Sequence, residues 1–295
     1  HLVDGGKLMT FTDTNKARLN RSGKAPFIEF PVFSEIPFIT HGFSTRLGGV
    51  STGMFSSMNL GSGPLPYQDD PENIRQNFLI ITESIGVKPE SVVLSDQVHK
   101  TNIRIVDEND RGKGFIRPRD YEEIDGLITN KPNITLVTKY ADCVPLFFVD
   151  PIKKAIGLSH SGWKGTIGRI GYKTVEKMKD AFGSNPEDII AVIGPSICAD
   201  CYEVGEEVAE EFRKVFSLKN ENTEILCKNK NNRYQLNLWE ANRRVLLDAG
   251  LQQKNIHVSE VCTACNSDLF FSHRKTGGKR GSLAAFLAIT DKEIK

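Results

Sequence analysis

No stretch of this 295-residue chain approaches the roughly 20 consecutive apolar residues that a membrane-spanning helix needs, so a bilayer span is not expected. Excess charge is lacking too. Lys and Arg number 38 against 37 Asp and Glu, which leaves no basic field to hold nucleic acid or an anionic lipid surface, and a small-molecule partner is the better expectation. The first ten residues, HLVDGGKLMT, lack the basic and apolar regions of a secretory signal, and their Gly-Gly-Lys beside a terminal His reads as an appended tail. Residues 11–295 are then expected to form the functional unit, in the cytoplasm, with reduced cysteines. At 39% hydrophobic and 25% charged residues, the chain can bury a sizeable core.

Periodicity supplies the layout. Asp70 as N-cap, Pro71 in the first turn and Ile74, Phe78, Ile81 and Ile85 on one face predict a helix. A second is expected from Lys164 to Phe182, with Ile167, Ile170, Val175 and Met178 in its apolar stripe and Gly183 as its stop. A third carries Val208, Phe212 and Phe216, and a fourth follows Asn237 through Leu238, Ala241, Val245 and Ala249. Between them lie short apolar or β-branched runs: SVVLS, IRIVD, GLITN, ITLVTK, VPLFFVD, AIGLSH, DIIAVIG, IHVSEV and LAAFLAI. Many are continuous rather than alternating, as in strands covered on both faces. The expected fold class is α/β (α+β in some schemes), a single layered domain of mixed β-sheets flanked by helices. The polar segment 217–233 reads as an exposed loop or hairpin.

Three residues stand out chemically. VPLFFVDP and the run after it look like a hairpin; if Asp150 pairs with Lys153, Cys143 falls opposite His160, with Cβ atoms about 4.5–5.5 Å apart. A one-residue slip would part them. His160 lies in SHSGWKG, where two glycines open a helix and leave room for a ligand, and His99 in SDQVHKTN is a third candidate. Two His and one Cys suit a three-ligand zinc site with an open fourth position, although a buried core thiol beside a backbone-bonded histidine is the plain alternative. Cys198 and Cys201, with Cys262 and Cys265, form two Cys-x-x-Cys pairs. Their separation far exceeds the roughly 15–20 residues of a four-Cys zinc site, which favours thiols without metal. Arg46, in the Gly- and Ser-rich stretch 41–61, and the basic loop SHRKTGGKRGS are candidates to meet an anion; neither is a Walker loop.

Together DQVH, ADCVPLFFVDP, SHSGWKG, GPSICADCYEVGEEV and FFSHRKTGGKRG resemble the YfiH/YlmD-type proteins, the laccase-domain or polyphenol oxidase family, from about His41 to Ile289. The resemblance implies a metal, usually zinc and less often copper, on His99, Cys143 and His160, which would also be the catalytic residues. It implies phosphorolysis of purine nucleosides (adenosine, inosine and methylthioadenosine), with adenosine deamination beside it. Nucleoside and phosphate are then the partners, with Arg46 and Arg274 as substrate-binding candidates, in a monomer or weak homo-oligomer. GGKRGSLAA departs from the family's Thr-Gly-Arg order, so Arg280 is not carried over. Copper-dependent phenol oxidation, an older assignment, fits poorly with six histidines and no His-x-His pair. Two further alternatives are a cysteine hydrolase using Cys143 and His160, and a zinc-binding protein without catalysis.

Overall fold

The computed structural model describes residues 11–290 and, in residues 1–10, the backbone of two short paired strands, Val3–Asp4 and Lys7–Leu8. The remainder of the segment read as a tail lies outside the described residues. Each of the nine apolar runs contains a strand, and they are shared between two six-stranded sheets of mixed direction. In spatial order the first sheet is Arg18–Asn20, Phe27–Glu29, Ile39–Ser44, Leu283–Ile289, Thr135–Tyr140 and Val92–Leu94. The second is Ile256–Val258, Ile190–Ile193, Val144–Asp150, Ala155–Ser161, Gly126–Thr129 and Ile103–Ile105.

The continuous runs follow from burial on both faces. Leu283, Ala285 and Leu287 enter the same core as Phe147, Val149, Ile156 and Leu158, which packs the two sheets against each other. Their neighbours Ala284, Phe286 and Ala288 face the opposite way, onto Phe78, Ile81 and Ile85 of the Pro71–Ile85 helix. On the outside of the second sheet, Val144, Leu146 and Phe148 pack with Ile170, Val175, Phe212, Ala241 and Leu246. The result is a mixed α/β stack of helix, sheet, sheet and helices, in which neither face of a central strand meets water.

Two expectations need correction. The helix read as continuous from Lys164 to Phe182 is two, Trp163–Ile167 and Ile170–Phe182, because Arg169 takes a left-handed conformation (φ +58°) after Gly168. The hairpin register also moves. Asp150 pairs with Ala155 rather than Lys153, since its Oδ1 accepts from the backbone N–H of Ile152 and of Lys153 and so holds a four-residue tip. His160 therefore lies opposite Pro145. The shift is even, so Cys143 and His160 stay on one face as diagonal neighbours. Segment 217–233 holds one strand of a hairpin, Leu226–Lys228, which pairs with Tyr234–Leu236.

Candidate active site

Thr135–Tyr140 and Val144–Asp150 belong to different sheets, so residues 141–143 form the corner at which the chain steps between layers. Asp142 makes the step with φ +85°, a conformation that Asp tolerates better than most residues. It also locks the corner. Its carboxylate accepts from Thr263 Oγ1 (2.7 Å) and the Arg274 N–H (2.7 Å), and its carbonyl accepts from the Ile197 N–H. Cys143 follows directly, at the edge of the core between the sheets.

His99 and His160 are brought to it by one buried carboxylate. Asp125, fully buried, binds His160 Nδ1 at 2.8 Å through Oδ2. It also accepts from the backbone N–H groups of Val98, His99 and Lys100 at 3.0–3.1 Å, wrapping the loop that presents His99. His99 itself sits at φ +62°. With Nδ1 of His160 engaged, its Nε2 is the nitrogen left for a ligand, the arrangement in which a carboxylate orients a metal-binding imidazole. The donor atoms of His99, Cys143 and His160 lie within 4.8 Å of one another. Gly162 preserves the gap: a Cβ there would stand 3.0 Å from Cys143 Sγ and 3.3 Å from the His99 ring.

The electrostatics favour a thiolate. Burial pushes the Cys143 thiol up, but the charge of His160, with hydrogen bonds from His160 and His99, outweighs it and holds the thiol at about 6. Burial likewise lowers His160, yet the Cys143 charge and the Asp125 bond lift it to about 9. Two imidazoles and a thiolate converging on one gap form a donor set that suits zinc.

The three line a cavity of about 450 Å³, a size typical of small-molecule sites. Trp163 and Tyr202 give it aromatic walls, and Lys139, Arg274 and Arg280 give it positive charge. Among the described residues, Lys139 and Arg280 feel the Asp96 and Asp142 carboxylates only at a distance, without an ion pair; Arg280 Nη1 donates to the Gly281 carbonyl and Ser282 Oγ, and its Nε is buried with no hydrogen-bond partner. Burial lowers the pKa of both cations, so each gains from an anion placed beside it. Arg274 stacks on Tyr202 and donates to the Glu203 carbonyl. Arg46 is placed elsewhere. Its guanidinium donates to the carbonyls of Ser56 and Ser267 and lies over the Phe271 ring, outside the residues lining this cavity.

Sequence reasoning did not reach Asp125, Asp142 or Lys139, and it met Arg280 only within the basic loop SHRKTGGKRGS, without carrying it over as a site residue. For Asp125 the signal is an acid immediately before the strand GLIT beside the His160 strand. The roles of Asp142, Lys139 and Arg280 become visible only when the corner brings 139–143 against 273–282.

The model of the family described as multi-copper polyphenol oxidoreductase laccase matches residues 40–290. Purine nucleoside phosphorylase YlmD of Bacillus subtilis (strain 168) is 39% identical over 254 residues, which is 85% of this chain and 88% of that protein. Adenosine deaminase RL5, from an unknown prokaryotic organism, is 35% identical over 81% of this chain and 90% of its own length. Among solved structures, the Bacillus licheniformis protein YfiH superposes with a TM-score of 0.85 at 35% identity, covering 94% of this chain and 100% of that one.

Proposed function

The chain belongs to the multi-copper polyphenol oxidoreductase laccase family, and on that footing we propose that it is a zinc-containing purine nucleoside phosphorylase of the cytoplasm. Its substrates in this reading are adenosine, inosine and methylthioadenosine, with adenosine deamination as an accessory activity. One observation carries the reading: a single cavity joins the His99, Cys143 and His160 donors to two cations, Lys139 and Arg280, that form no ion pair among the described residues. Phosphorolysis needs both an anion pocket and a centre that withdraws electrons from a leaving group.

Phosphate is held by Arg280 and Lys139, whose burial makes a neighbouring anion favourable to both cations. The purine ring packs against Trp163 and Tyr202. A phosphate oxygen then bonds to the anomeric carbon while the bond from that carbon to the purine nitrogen breaks, its electron pair leaving with the base, which takes up a proton. His99, Cys143 and His160 would hold the zinc, which when bound would supply Lewis acidity to the cavity. Asp125 keeps the proton on His160 Nδ1 and so keeps Nε2 free to ligate. Deamination, in which water replaces the amino group of adenosine as ammonia leaves, finds its support in the relative named adenosine deaminase RL5.

The low thiol pKa beside His160 favours a second reading, a cysteine hydrolase with Cys143 as nucleophile and His160 as its base. Metal removal separates the two. Incubation with adenosine, with and without phosphate, and chromatography of the products tests the first. Ribose 1-phosphate equal to the free purine released, adenine together with hypoxanthine from any deaminated substrate, formed only with phosphate and lost with the metal, is expected. Adenine released equally without phosphate, or turnover that survives complete metal removal, would overturn it.

A further inference from the structure

The two Cys-x-x-Cys pairs, 64 residues apart in the chain, meet in space, and we infer that Cys198, Cys201, Cys262 and Cys265 bind a structural zinc ion distinct from the cavity trio. Their four sulfurs lie within 4.8 Å of one another. Cys265 Sγ stands 3.9 Å from Cys198 Sγ and 3.5 Å from Cys201 Sγ. Zinc–sulfur bonds of about 2.3 Å in a tetrahedron place neighbouring sulfurs about 3.8 Å apart, so both spacings match the edge of such a centre. A disulfide would need about 2.05 Å.

Hydrogen bonding points the same way. The backbone N–H groups of Cys198 and Cys265 both donate to Cys262 Sγ, at 3.3 and 3.4 Å. One sulfur accepting two amides is arranged to carry negative charge, as a metal thiolate does. Binding one divalent ion displaces the four thiol protons to solvent and leaves a centre of net charge 2−, which those amides help to disperse. Cys227, the remaining cysteine, is exposed and lies against Asn222 instead.

The place of the cluster gives it a role. The first pair lies between Ile197 and Tyr202, both of which line the cavity. The second pair flanks Thr263, which donates to Asp142 at the corner carrying Cys143. Backbone hydrogen bonds from Ser196 to Val261 and from Thr263 to Ser196 already join the two loops. A metal at their tips fixes one wall of the cavity from behind, without contributing to the reaction.

The deciding experiment uses the full chain with the cavity trio disabled, His99→Ala with Cys143→Ala, purified under reducing conditions. Zinc is counted by plasma mass spectrometry and its coordination is read by X-ray absorption at the zinc edge. One zinc per chain with four sulfur neighbours at about 2.3 Å is expected. A chain that binds no zinc even when it is supplied, or a shell containing nitrogen or oxygen, would overturn the assignment. In the otherwise unaltered protein, Cys198→Ser with Cys265→Ser is expected to lose one equivalent of zinc and to lower the melting temperature; unchanged zinc content would contradict it. Should this variant fail to fold, the measurement on the trio variant still decides. Wild-type protein holding a single, all-sulfur zinc would uphold this site while removing the metal from the proposed active site.

Discussion

Asp125→Asn isolates the orienting carboxylate while barely altering volume. Oδ1 of Asp125 accepts from Val98 and Lys100, and Oδ2 from His99 and His160 Nδ1. An amide offers one accepting oxygen, so one pair of donors faces an N–H group instead. Turning the oxygen toward the two backbone groups satisfies Val98 and Lys100, but His160 must then accept at Nδ1 and carry its proton on Nε2, the atom needed for the metal. The other orientation strands two backbone donors in the interior. Hydrogen bonds to a charged group contribute about 1.5–3 kcal/mol each, so losing two costs about 3 kcal/mol or more before relaxation. Changes at such supporting carboxylates typically weaken metal binding about 10–100-fold, which corresponds to about 1.4–2.8 kcal/mol. Competition with a chelator of known zinc affinity, alongside a thermal melt, reads both effects. Wild-type zinc affinity and phosphorolysis in Asp125→Asn would refute the role assigned to this residue.

Arg280→Ala and Lys139→Ala should each raise the KM for phosphate about 10-fold or more, while the KM for nucleoside changes little; steady-state kinetics with each substrate varied check this. Metal-free Cys143 should react with iodoacetamide with a midpoint near pH 6, read by mass spectrometry of its peptide, and zinc should protect it. A folded-state pKa depressed below the unfolded value means that the thiolate contributes stability above about pH 8.5, and the contribution is lost as pH falls through about 6. Gly162→Ala should place its methyl 3.0 Å from Cys143 Sγ and weaken zinc binding while the protein still folds, as chelator competition and circular dichroism would show.

Much of the fold was legible because burial on both faces leaves a strong mark. Leu283–Ile289 and Val144–Asp150 show no polar alternation except at Asp150, and both are central strands. Turn geometry was less legible. The tip after Asp150 depends on a side chain capping two backbone N–H groups, which periodicity does not encode, and the register moved by two positions as a result. Cys143 and His160 survived the error only because the shift was even. Arg169 broke a helix that its apolar stripe carried straight through, since the stripe reports which face is buried and not whether the backbone is continuous. Charge balance proved hardest to read. Arg46 and Arg280 look alike along the chain, yet Arg46 spends its donors on carbonyls away from the cavity, while Arg280 lines it, donates Nη1 to the Gly281 carbonyl and Ser282 Oγ, and keeps a buried Nε unpartnered. The four cysteines were set aside for their separation in sequence, a distance that the parallel pairing of Ile190–Ile193 with Ile256–Val258 removes.

Phosphorus NMR of the zinc-loaded protein with inosine and inorganic phosphate, run beside folded Cys143→Ala, tests the central claim most directly. The wild-type sample should convert phosphate into a sugar phosphate in step with hypoxanthine release, and the variant should leave the phosphate signal untouched. Equal conversion by both proteins, or base release by the wild type with phosphate unconsumed, would contradict the account.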